Sequence, residues 1–208
     1  MVYNNLFKRI VLSIVLFVVY LFSLINFYFL LILGTMIYLI ILFEIFNYFK
    51  KFIIFIILYF IISYFCFIFY LFNFFDLINF NILIYVIISF DSFSYFVGKT
   101  FGRNNIFRII SPNKTIEGYI GGFFITNILF IIYSYYYSNL TDIHQNLSLI
   151  NLFILFSLLG DLLQSFFKRI NNIKDSSNFL PGHGGFFDRF DSFLSSIILL
   201  FIYSYFVL

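Results

Sequence analysis

Apolar residues in this chain come in successive blocks close to twenty residues long, separated by short polar breaks. At about 1.5 Å per residue, a helix of about twenty residues crosses the roughly 30 Å hydrocarbon core of a bilayer. The composition agrees: 63% of the 208 residues are hydrophobic and 10% charged, where a soluble domain carries about 25% charge. An ordinary soluble domain is excluded. So is disorder, which needs few aromatics and high net charge. The expected fold is all-α: a polytopic integral membrane protein with about seven transmembrane helices and polar cytoplasmic loops.

Polar breaks place the spans at 10–25, 28–48, 52–72, 77–97, 118–138, 147–166 and 191–207. The first block is too long, and too closely followed by others, for a cleaved signal peptide. Residues 10–43 carry no charge, and a weak break near Asn26 suggests a tight helical hairpin. Two regions are expected: 1–90, N-terminal membrane helices, and 91–208, the region holding the polar motifs.

Two features of composition carry no function. The 37 Phe and 17 Tyr accompany abundant Ile and Asn, all residues with A/T-rich codons, so they reflect genome composition rather than a stacking site. The single cysteine, Cys66, sits in an apolar run and has no disulfide partner; a small lipid- or core-facing residue is expected there.

Basic residues orient the chain, because cytoplasmic loops collect Lys and Arg. With the N-terminus and its Lys8 and Arg9 cytoplasmic, seven crossings return Lys50 and Lys51, the 98–117 segment and the 167–190 segment to the same side. All 12 basic residues then lie together, and the main outer loops carry only Asp76 and Asp142. The net charge of +3 is thus a mark of topology, not a nucleic-acid footprint.

Charge is also concentrated along the chain. Of the 21 charged residues, six lie between 91 and 117 and eight between 161 and 191, and both prolines fall in the same windows. Asp91 ends the apolar run 83–90, and Asp161 lies near the end of 152–160. An ionised carboxylate costs about 2.5–3.5 kcal/mol at the centre of a membrane helix. Asp161, Gln164, Ser165 and Lys168 recur at three- and four-residue intervals and therefore share one helix face. Asp188, Asp191, Ser192 and Ser195 form a second polar stripe at the start of the last span. Glu44 reads as an interfacial helix-end residue.

The stripes are joined by the stretch from Lys168 to Asp191, which holds four cations, three carboxylates and Pro181-Gly182-His183-Gly184-Gly185. Its glycines permit close backbone approach and an anion-binding nest. Carboxylates beside cations suit a metal-bound polyphosphate, with Asp oxygens on Mg²⁺ and Lys and Arg on phosphate oxygens. Other motifs fail. Gly98-Lys-Thr100 lacks the upstream glycine of a phosphate loop, since residue 93 is Phe. His144 and His183 are too far apart in topology for a zinc site, and no Ser, His and Asp grouping indicates a hydrolase.

The run from Ser165-Phe-Phe-Lys168-Arg169 through Lys174-Asp175 to Leu180-Pro181-Gly182-His183-Gly184-Gly185-Phe-Phe-Asp188-Arg189-Phe-Asp191 resembles the signature of the phosphatidate cytidylyltransferases, or CDP-diacylglycerol synthases. The likeness extends upstream through Gly160-Asp161-Leu162. Asp91 to Gly102, with Ser111-Pro-Asn-Lys-Thr-Ile-Glu-Gly118, is similar to the family's other polar segment. Departures are Ser92-Phe93 in place of Thr-Gly, Asn113 in place of Lys, and Gln164 in place of a frequent Glu. The chain is also short for the family, which suggests loss of N-terminal spans.

The resemblance implies a nucleotidyltransferase that moves a cytidylyl group from CTP to phosphatidate, giving CDP-diacylglycerol and pyrophosphate for phospholipid synthesis. It implies Mg²⁺, with a second cation left open, and Asp161 and Asp188 as its ligands. Asp175 and Asp191 would support them, and Lys168, Arg169, Lys174 and Arg189 would hold phosphate oxygens. Asp91, Lys114, Ser165, Pro181, Gly182, His183, Gly184 and Gly185 would contact substrate. The expected partners are CTP, phosphatidate and membrane lipids, with no nucleic acid; a homodimer is left open. The expected location is a bacterial inner membrane with the site facing the cytoplasm. Two other readings stay open: a CTP-dependent polyprenol or phytol kinase, and a small membrane transporter.

Overall fold

The computed structural model describes residues 18–24, 26–105, 110–111, 114–136, 143–177, 179 and 184–207. A helical stretch at 18–24 is followed by six long helices: α1 (Phe27–Tyr48), α2 (Ile53–Asn73), α3 (Leu77–Phe101), α4 (Ile116–Tyr136), α5 (Ile143–Ile170) and α6 (Phe187–Val207). Each of the six is long and apolar enough to cross a membrane. Among the described residues there is no strand; Asn105 and Thr115 form an isolated bridge. The chain is an all-α polytopic membrane protein. Of the first expected span, 10–25, residues 10–17 and 25 lie outside the described residues.

Local chemistry sets the helix starts. Asn26 accepts the Tyr28 N–H at 3.0 Å, and Asp76 accepts the N–H groups of Ile78 and Asn79 at 3.2 and 3.3 Å, side-chain caps for donors that have no intrahelical partner. The α1–α2 turn passes through Phe52 at φ 55°. Asn171, just beyond α5, holds that turn by accepting from the N–H groups of Lys50 and Lys51 at 2.8 and 2.7 Å.

Three helices run longer than the apolar blocks indicate. α3 continues to Phe101 and α5 to Ile170, carrying their polar ends beyond 97 and 166. α6 begins at Phe187 rather than 191, because a carboxylate from another helix caps it. Residue 90, the expected regional boundary, lies within α3.

α6 is the central helix and packs on α2, α3 and α5. Phe187, Leu194, Ile197 and Leu200 are fully buried there. Its serines allow close approach and satisfy their hydroxyls on the neighbouring backbone: Ser195 Oγ donates to the Phe156 carbonyl at 2.6 Å and Ser192 Oγ to that of Ser157 at 3.3 Å. α5 passes closest at Gly160, where a Cβ would lie 2.4 Å from the Asp191 carbonyl oxygen. Large apolar side chains such as Phe22, Ile54, Phe72 and Phe124 stay exposed, as lipid-facing positions require. Cys66 is free and buried, as expected.

The α1–α2, α3–α4 and α5–α6 connections meet at one end of the bundle. Asn171 ties the first to the third, and Arg169 Nε ties the third to the second by donating to the Ile110 carbonyl at 3.0 Å. The described basic residues from Lys50 to Arg189 belong to this end, while Lys8, Arg9 and Arg108 lie outside the described residues.

Candidate active site at the basic end of the bundle

Both polar sequence blocks open onto one cavity of about 870 Å³ at this end. The α5 stripe contributes Asp161, Gln164, Ser165 and Lys168, all four of which line the wall; the common face read from their spacing is the face the helix presents. α6 adds Asp188, Arg189 and Asp191, and α3 adds Asp91, Ser94 and Gly98. Lys114, Thr115 and Tyr119 enter from the start of α4.

Two ion pairs divide the floor. Lys114 Nζ pairs with Asp161 Oδ2, joining the first block to the second. Burial works against the Lys114 ammonium, but Asp161 foremost, with Tyr119 and Asp191, together raise the lysine above its ordinary value. Asp91 and Asp191 line the same cavity as this pair, close enough for charge to act among the four groups.

The second pair is Lys168 Nζ on Asp188 Oδ1 at 2.7 Å. Asp188 is the most heavily bonded carboxylate on the cavity wall. Its Oδ1 also accepts from Gln164 Nε2 at 2.5 Å. Its Oδ2 accepts from the Ser176 N–H at 2.7 Å and the Gly185 N–H at 3.1 Å, and lies 3.0 Å from Ser176 Oγ, whose single proton it shares with Glu44. An ionised carboxylate only accepts, so Gln164 must turn its amide nitrogen toward Asp188. The Gln164 Oε1 is left buried without a hydrogen-bond partner.

Glu44 is not an interfacial helix-end residue. It is fully buried and accepts four hydrogen bonds: Ser177 Oγ at 2.6 Å and the Phe186 N–H at 2.8 Å on Oε1, the Phe187 N–H at 2.9 Å and Ser176 Oγ at 3.1 Å on Oε2. The positive end of α6 and its unpaired N–H groups make this a favourable place for a carboxylate. Of the glycine turn at 182–185, only Gly184 and Gly185 are described, and the Gly185 N–H is taken up by one of the chain's own carboxylates, as are the two N–H groups that follow it. Gly185 donates to Asp188, and Phe186 and Phe187 donate to Glu44. Gly184 adopts φ 83°, the left-handed backbone that favours glycine. Pro181, Gly182 and His183 lie outside the described residues.

Of the other expected residues, Ser165, Arg169, Asp175 and Arg189 line the cavity, whereas Lys174 is exposed and not part of its wall. Among the described residues, no group of three or more His, Cys, Asp or Glu side chains forms a ready-made metal cage. Gln164, Ser94, Thr115 and Tyr119, with Tyr95, Lys99 and Ser111, also line the wall without having been expected as contacts. Glu117 adds an anchor for the α3–α4 connection, accepting from the N–H groups of Arg103 and Asn104 at 3.1 and 3.2 Å.

Fold and site define a helical membrane protein with a charged cavity, assembled from two separated polar blocks, at one end of its bundle. The chain belongs to the Cytidylyltransferase family, whose match covers residues 2–207. It is 45% identical over 103 residues to a phosphatidate cytidylyltransferase of Staphylococcus aureus, covering 50% of this chain and 40% of that protein. It is 46% identical over 108 residues to the Bacillus subtilis phosphatidate cytidylyltransferase, covering 51% and 39%. The matched stretch thus spans about two fifths of these relatives' length.

Proposed function

We propose that the chain condenses CTP with phosphatidate at the cytoplasmic face of a bacterial plasma membrane, forming CDP-diacylglycerol and releasing pyrophosphate. The observation that carries this reading is the Lys114–Asp161 pair, which joins the two polar blocks on a cavity that mixes cations with carboxylates. Cations alone would indicate attraction to lipid headgroups; the mixture suits a metal-bound polyphosphate. The volume falls in the range of small-molecule sites, and the names of the relatives point the same way.

The donor set fits Mg²⁺. Asp161 and Asp191 line the cavity beside Asp91, oxygen donors of the kind a hard divalent cation takes. Mg²⁺ commonly needs only one or two protein carboxylates beside substrate phosphates, so a closed cage is not required. Asp161 and Asp191 would hold it, with Asp188 facing the same cavity. Bound there, the ion would screen the triphosphate and favour attack at the α-phosphorus.

The chain's own residues have simpler tasks. Lys114, Lys168, Arg169 and Arg189 meet phosphate oxygens from several sides and align the reactants. The nucleophile is the phosphate monoester of phosphatidate, whose second pKa of about 6 leaves it largely ionised at neutral pH. An oxygen of that monoester forms the new bond to the α-phosphorus. The bond from that phosphorus to the bridging oxygen breaks, and its electron pair leaves with pyrophosphate. No protein base is needed, in keeping with the absence of a catalytic triad from the sequence.

The test is incubation of membranes carrying the chain with CTP and phosphatidate. One pyrophosphate per CDP-diacylglycerol is expected. Release of CDP would instead assign a lipid kinase, and no CTP consumption would overturn the reading.

A further inference from the structure

Glu44 has no place in the chemistry above, yet four hydrogen-bond donors converge on it, all from residues 176–187. These donors are hydroxyls and backbone N–H groups, and they hold a fully buried carboxylate. A buried charge is retained only where its surroundings compensate it. Capping α6 does not by itself call for such a residue, because a Ser, Asp or Asn just ahead of the helix would cap it locally. The acceptor comes instead from α1, 142 positions from the Phe186 N–H it binds.

A distant acceptor does what a local cap cannot, by fixing Ser176, Ser177 and the start of α6 against one another. Ser176 is the link. Its hydroxyl lies 3.1 Å from Glu44 Oε2 and 3.0 Å from Asp188 Oδ2, and its N–H donates to the same Asp188 oxygen. Gly185 fits between the carboxylates because it has no side chain: a Cβ there would lie 2.7 Å from both Glu44 oxygens. Asp188 in turn holds Lys168 and Gln164 on its other oxygen.

We infer that Glu44 is a positioning residue that sets Asp188, and through it Lys168 and Gln164, for the ligand in the cavity. The inference rests on the functional reading above. In Glu44→Gln an amide nitrogen replaces one carboxylate oxygen and faces N–H donors it cannot accept from, so the 176–188 segment shifts while overall size is kept.

The experiment uses the full chain reconstituted in lipid vesicles, comparing the native protein with Glu44→Gln and Ser176→Ala. It measures kcat, KM for CTP, half-activating Mg²⁺ concentration, melting temperature, and backbone hydrogen exchange across 174–188. Glu44→Gln is expected to raise KM or the Mg²⁺ requirement about tenfold or more, in the range of residues that orient ligand-holding groups, and to speed exchange at 176 and 185–188. Ser176→Ala should act in the same direction, with the double variant no worse than Glu44→Gln alone. A lower melting temperature with native KM, Mg²⁺ dependence and exchange overturns the inference and leaves only a helix cap. If the native chain turns over no CTP, the functional reading falls; faster exchange at 185–188 in Glu44→Gln still supports the link to Asp188, and native exchange overturns it. Should Glu44→Gln fail to fold, Ser177→Ala removes one donor and is judged by the same measurements.

Discussion

Lys114 and Asp161 stand 47 positions apart, one just before α4 and the other on α5, and their ion pair closes the two polar blocks around a single cavity. The carboxylate foremost, with Tyr119 and Asp191, raises the lysine above its ordinary value of 10.5 against the opposing effect of burial. A cation favoured by folding in this way stabilises the fold at every pH below its unfolded value and loses that contribution only as pH rises through the higher folded one. The melting-temperature difference between native protein and Lys114→Met is therefore expected not to shrink between neutral pH and about pH 9.5, and to shrink only in stronger base. Shrinkage already near neutrality would show that the ammonium is not held by Asp161.

Asp161 and Asp188 should separate in their response to the same change. Asp188 accepts four hydrogen bonds and shares the Ser176 hydroxyl with Glu44, and Asp188→Asn turns an amide nitrogen toward donors. It is expected to destabilise the fold by about 3 kcal/mol, as when one partner of a buried pair is removed, as well as abolish turnover. Asp161 faces Lys114 and other carboxyl groups, so Asp161→Asn relieves repulsion while losing one attraction. Its melting temperature should stay near native while turnover falls by about 10² or more, the scale of losing one electrostatic contact to the reacting group. Pyrophosphate release and thermal melts on both variants decide this; equal melting temperatures would contradict the anchoring role of Asp188.

How much of this was legible depends on the range of each interaction. The apolar blocks and the α5 stripe follow from helical rise and periodicity, so spans two to seven and the shared face of Asp161, Gln164, Ser165 and Lys168 could be read directly. The convergence of the two blocks was readable only through resemblance, because nothing local to Lys114 points at Asp161. Glu44 was misread because its position near Lys50 and Lys51 resembles a helix end, and its partners lie more than 130 residues away. One hint was present: an ionisable residue following an apolar stretch is a candidate for a specific role. For the glycine turn, sequence displays the Gly185 N–H but not the Asp188 carboxylate that reaches it.

The α3–α4 pair offers a test of packing that is independent of chemistry. A Cβ at Gly118 would lie 2.6 Å from the Ser94 carbonyl oxygen and 3.0 Å from Gly98 Cα, both backbone atoms that cannot rotate away. Gly118→Ala should therefore push the helices apart and cost about 1–3 kcal/mol. Because Ser94 and Gly98 line the cavity, CTP affinity should weaken as well. A Gly118→Ala protein with native melting temperature would mean that the helices are not so closely apposed.

The charge balance of the cavity gives a prediction for divalent cations that needs no turnover. Asp91, Asp161 and Asp191 act on one another and on one lysine, and a ligand that binds the folded state alone raises stability with its concentration. Millimolar Mg²⁺ should raise the melting temperature of the native protein, and chelation should reverse the rise. Asp161→Asn or Asp191→Asn should abolish most of it, since each removes a carboxylate from the group. Lys114→Met should enlarge it, because the ammonium competes with the ion for Asp161. The Lys114 variant discriminates best: a general salt effect would leave its response unchanged, whereas an ion bound among these carboxylates should bind more tightly once the resident cation is gone.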